Sequence, residues 1–76
     1  MFKVYPKAWL NKAIIQNQLE KYNDAINSMN TLLKMNPNFF NGWKFKAEIE
    51  KKIGMESEAS KSLAKYEELK KKYDKQ

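Results

Sequence analysis

The stretch Trp9-Leu10-Asn11-Lys12-Ala13-Ile14-Ile15 returns, altered but in register, as Trp43-Lys44-Phe45-Lys46-Ala47-Glu48-Ile49. A shift of 34 residues superposes the two tryptophans, Lys12 on Lys46, Ala13 on Ala47 and Ile15 on Ile49. Carried outward, the same shift places Leu19 on Ile53, Ala25 on Ala59, Ser28 on Ser62 and Met29 on Leu63. Eight like-for-like matches at one offset mark a tandem repeat, and the offset governs every later reading.

Each unit reads as two helices. Trp9, Leu10, Ala13, Ile14, Ile15 and Leu19 fall at the spacings that build one apolar helix face. Ala25, Ile26, Met29, Leu32 and Leu33 form a second stripe, and Trp43, Ala47, Ile49 and Ile53 a third. The fourth, through Ala59, Leu63, Tyr66, Leu69 and Tyr73, runs long because nothing interrupts it. Between the stripes stand Glu20-Lys21-Tyr22, Asn36-Pro37-Asn38 and Gly54-Met55. Proline disfavours helical geometry in the residue before it, so Pro37 ends the second helix. Asn38 is expected to cap the third, and Gly54 to supply a left-handed stop after it. The spacing predicts helices over 7–19, 23–35, 40–52 and 56–73, with no strand. The expected fold is therefore all-α: two tandem helix–turn–helix units of four antiparallel helices. Residues 1–5 form an N-terminal tail, 6–39 the first unit, and 40–76 the second unit with its extended C-terminal helix.

Composition narrows the chemistry. Seventy-six residues allow one small domain with a modest core. Cysteine and histidine are absent, which removes disulfides, thiolate metal sites, the cysteine nucleophile and the commonest general base. The pairs Glu48/Glu50, Glu56/Glu58 and Glu67/Glu68 are one or two residues apart, and such neighbours point to different sides of a helix. Glu56 and Glu58 instead suit the positive end of the fourth helix. No Gly-rich phosphate loop occurs. An enzyme is not expected, nor a cofactor or metal. No apolar run reaches the length of a membrane span and no signal peptide opens the chain, so a cytoplasmic location is expected.

The pattern resembles the tetratricopeptide repeat family, whose period is 34 residues with two helices per unit. Trp9, Lys12-Ala13, Gln16, Ala25, Met29 and Pro37 answer the family motif in the first unit. Trp43, Lys46-Ala47, Glu50, Ala59 and Leu63 answer it in the second. Lys12 and Lys46 depart from the family's Leu, Gln16 and Glu50 from its Tyr, and Lys71 stands where a second Pro is usual. The resemblance covers residues 6–73 and implies a short right-handed α-solenoid that binds partners on the concave face of its first helices. The matching positions are Lys7, Leu10, Asn11, Ile14 and Asn17, then Asn41, Lys44, Phe45, Glu48 and Lys51. Leu10, Ile14 and Phe45 would put an apolar ridge on that face unless they pack between neighbouring first helices. The ridge also takes the places of the Lys and Asn with which some family members clamp a chaperone's terminal carboxylate, so that ligand is not expected.

The resulting expectation is a non-catalytic scaffold binding a protein or peptide, either an amphipathic helix or an extended apolar segment. Two units are few for a self-sufficient array. This leaves open a longer array, or a structural unit that self-assembles into a homo-oligomer. A third reading is nucleic-acid binding through lysine. The net charge is +6, yet every basic residue is Lys, and each half of the chain carries +3. The densest cluster, Lys70-Lys71-Lys72, sits beside Glu67, Glu68 and Asp74 and suits the negative end of a helix. Without arginine's planar fork, such a surface gives weak, unspecific contacts. Oligonucleotide titration at rising salt is expected to show low-affinity binding that disappears by physiological ionic strength, with no preference among sequences.

Overall fold

The computed structural model describes residues 6–74, so the tail 1–5 lies outside the described residues. Four helices follow one another: α1 Pro6–Gln18, α2 Tyr22–Met35, α3 Phe40–Lys52 and α4 Glu56–Asp74. No strand occurs among the described residues. Consecutive helices pack on one another, α1 on α2, α2 on α3 and α3 on α4, in a slab of 35 × 35 × 16 Å.

The core grows from small residues. Ala13 on α1 and Ala25 on α2 have no exposed surface, and Ile26, Met29, Leu32 and Ile49 complete their cluster. Trp9, Leu10, Tyr22, Phe39, Phe45 and Ile53 pack around it, each half-buried. In the second unit Ala47, Ala59 and Leu69 are buried between α3 and α4. The extra length of α4 is held by aromatic contact: the Phe40 ring lies 6.1 Å from Tyr66 and 6.4 Å from Tyr73. Phe40 opens α3 and Tyr73 lies near the end of α4, so the two helices run antiparallel.

The turns repeat with the sequence. In the first unit Lys21 N–H donates to Gln16 O (2.8 Å) and Glu20 N–H to Asn17 O (3.0 Å). In the second, Met55 N–H donates to Glu50 O (2.8 Å) and Gly54 N–H to Lys51 O (3.2 Å). Both are Schellman closures, which need one residue in the left-handed region. Gly54 fills that place with φ 81° and Glu20 with φ 61°. The expected stop at Gly54 is present, and Glu20 makes the same turn at the steric cost of a side chain.

Between the units, α2 ends at Met35, and Asn36 before Pro37 leaves helical geometry with φ −141°. Asn38 does not cap α3. The cap position falls to Phe39, with no side-chain hydrogen bond. The reason is packing: the Phe39 ring closes over buried Gly42, where an added Cβ would lie 2.9 Å from its Cδ2. Burying that ring outweighs a polar cap worth about 1 kcal/mol.

Glu20→Gly is expected to stabilise the fold by about 0.5–1 kcal/mol, because relief of the left-handed strain exceeds glycine's added chain entropy. Gly54→Ala is expected to destabilise it by about 1 kcal/mol. Urea denaturation of both variants checks the pair.

Candidate functional site

A buried polar bridge joins the helices of each unit. The Ser28 hydroxyl donates to Gln16 Oε1 across 2.7 Å, and the Ser62 hydroxyl to Glu50 Oε1 across 2.8 Å. These are equivalent positions under the 34-residue shift. Glu50 is only 2% exposed, and its second oxygen lies 3.9 Å from Lys46 Nζ one helical turn earlier. The carboxylate therefore has a hydroxyl donor and an ammonium to offset its loss of water. A serine bonded to a carboxylate resembles a nucleophile and its base. Here both groups are closed off from solvent, and the first unit makes the same bridge with an amide that cannot act as a base. Ser62 and Glu50 are a structural joint.

The two tryptophans occupy matching but unequal settings. Both are half-buried, because a lysine one turn on lies over each ring: Lys12 Nζ at 5.0 Å from Trp9 and Lys46 Nζ at 5.3 Å from Trp43. The lysines standing at the family's leucine positions thus cover aromatic surface with stem and charge. Trp43 Nε1 donates to Pro37 O across 3.0 Å. Trp9 Nε1 is buried with no acceptor among the described residues. The equivalent of Pro37 in its unit is Lys3, outside those residues.

The ten residues expected on the concave face do not form one site. Lys7, Asn11, Asn41, Lys44, Glu48 and Lys51 are exposed, whereas Leu10, Ile14, Asn17 and Phe45 are half-buried. Lys7 and Leu10 share a largely apolar recess of about 370 Å³ with Asn36 and Phe39. Lys44, Glu48 and Lys51 line a separate groove of about 230 Å³ between α3 and α4, opposite Glu56, Ser60 and Leu63. Asn11, Ile14 and Asn41 line neither. Asn17 accepts a hydrogen bond from Lys52 Nζ at 3.4 Å, and that ammonium also lies 5.6 Å from the Tyr22 ring. Leu10 and Phe45 both pack on the central cluster, so part of the apolar ridge is committed to holding the helices together.

The sequence reading missed the walls that α4 and the α2–α3 turn supply: Glu56, Ser60 and Leu63 in the groove, Asn36 and Phe39 in the recess. The groove had a usable signal. Advancing Tyr22, Ile26 and Met29 by 34 residues gives Glu56, Ser60 and Leu63. The recess had none, since its shape depends on the Phe39 ring turning inward. Among the described residues no cluster of three acidic side chains could hold a metal ion, and no helix is long and apolar enough to cross a membrane.

No protein-family model matches the chain, and no curated protein or solved structure matches it either.

Glu50→Gln keeps an acceptor for Ser62 and copies the first unit, so a stability change within about 1 kcal/mol is expected. Glu50→Ala strands the buried Ser62 hydroxyl and opens space around it, with an expected loss of about 2–4 kcal/mol. Thermal unfolding followed by circular dichroism distinguishes the two.

Proposed function

We propose that this chain is a non-catalytic protein–protein interaction module of the tetratricopeptide kind. In this reading it binds an apolar protein segment on the face carried by α1 and α3. The supporting observation is the recess formed by Leu10 and Phe39 with Lys7 and Asn36 at its rim. Its volume, about 370 Å³, falls within the ~300–1,000 Å³ of ordinary binding pockets. It combines apolar walls with a few polar groups, the arrangement that receives one anchoring side chain of a partner. The repetition of turns, serine bridges and tryptophan–lysine pairs supports the family reading, because these features recur at the family's own period. An amphipathic helix is the favoured partner, with one apolar residue in the recess and acidic residues facing Lys7, Lys44 and Lys51. A cytoplasmic setting goes with this reading, since a chain without cysteine draws no stability from an oxidising compartment.

Peptides selected against the parent protein from a displayed random library test the proposal. Lys7→Glu disturbs no core contact and is expected to weaken a selected acidic-apolar peptide several-fold with unchanged thermal stability. Leu10→Gln is expected to weaken it at least tenfold. It should also cost about 1–2 kcal/mol of stability, because Leu10 packs on the core. A library that enriches nothing, or peptides indifferent to both variants, would overturn the reading.

A further inference from the structure

The two ends of the chain expose complementary halves of an interface that the chain already makes once internally. Within the molecule, α3 fills the groove of the first unit. Ile49 has no exposed surface and belongs to one cluster with Ala13, Ala25, Ile26 and Met29, while Ile53 packs against it. Shifting the groove residues forward by 34 gives Ala47, Ala59, Ser60 and Leu63. These line the open groove between α3 and α4, about 230 Å³ in volume, and Leu63 is 40% exposed where Met29 is fully buried. Shifting the filling residues back by 34 gives Ile15 and Leu19, which are 55% and 61% exposed. The molecule thus carries one filled groove, one empty groove, and a helix face equivalent to the one that does the filling.

We infer that copies of this chain associate head to tail. In this arrangement α1 of one copy lies in the α3–α4 groove of the next, with Ile15 and Leu19 against Ala47, Ala59 and Leu63. The occupant is a second copy because both halves of the contact lie on one chain and are related by the operator that relates its own two units. The polar groups agree with this placement. Lys52 reaches Asn17 and the Tyr22 ring across the internal interface. Its equivalent, Gln18, meets the equivalents of those groups, Lys51 and Glu56, and an amide can accept from the one and donate to the other.

The contact is weaker than its internal model. Asn11 replaces Phe45 on the helix, Ser60 replaces Ile26 in the groove, and two copies of charge +6 repel one another. Association therefore depends on concentration. The two surfaces differ, so the contact is heterologous and each added copy presents a fresh groove. The inference requires no peptide ligand and does not rest on the recess at Leu10. Its failure would leave the peptide-binding reading intact.

Sedimentation equilibrium of the whole chain, at about 0.15 M ionic strength, tests it across roughly 10 μM to 1 mM. The weight-average mass is expected to rise steadily above that of the monomer. Ile15→Asp removes the inserting face and Leu63→Asp the groove. Both positions are solvent-facing, so each variant is expected to melt like the parent and to remain monomeric throughout. Mixed in equal amounts, the two variants are expected to form a dimer and nothing larger. One intact α1 then meets one intact groove, and both outer ends are blocked. A parent that stays monomeric over the whole range, a variant that keeps the parent's association, or a mixture that stays monomeric would each overturn the proposal.

Discussion

The absence of bulk at Ala13 and Ala25 sets the geometry of this molecule. Two buried methyl groups let α1 and α2 approach closely, and larger side chains are displaced to the margins of the contact. Trp9 and Leu10 end half-buried at the rim, while Ile26 and Met29 turn toward the third helix. Ala47 and Ala59 repeat the device between α3 and α4. Once that spacing is set, a serine on the second helix of each unit lies within hydrogen-bonding distance of the residue three beyond the first alanine. This is why Gln16 and Glu50 find the same kind of donor.

Much of this was legible in the sequence because the information was local and repeated. The four helices lie within a residue or so of their expected limits. Pro37 and Gly54 act at the backbone, where their chemistry does not depend on distant neighbours. The Asn38 cap was misjudged because a local preference competed with a long-range one, the burial of Phe39. Trp9 and Trp43 were read as core. They stand at its edge because Lys12 and Lys46 occupy the positions that would have sealed them.

The candidate site was less legible than the fold. The ten concave-face positions carry a register, and a register says which residues share a helix side without saying which recess each one enters. Lys7 and Leu10 depend on Phe39 for their pocket, whereas Lys44, Glu48 and Lys51 depend on the side chains α4 brings opposite them. The buried state of Glu50 was equally hidden. A carboxylate in a charged stretch reads as surface until its equivalence with Gln16 and its serine donor are known.

The neighbour-to-neighbour packing also bears on how the chain finds its shape. The main helix contacts join segments that follow one another directly, so the loops closed during folding are short and their entropic cost is small. Either hairpin can form first, as in other quasi-one-dimensional assemblies. What makes the two fold as one is the seam where α2 meets α3. Met29, Leu33 and Phe39 close on Gly42 there at distances that leave no room for a side chain. That hydrogen in place of a methyl is the point through which order in one half is transmitted to the other. A larger residue there would separate the cooperative transition into two before it abolished either helix pair.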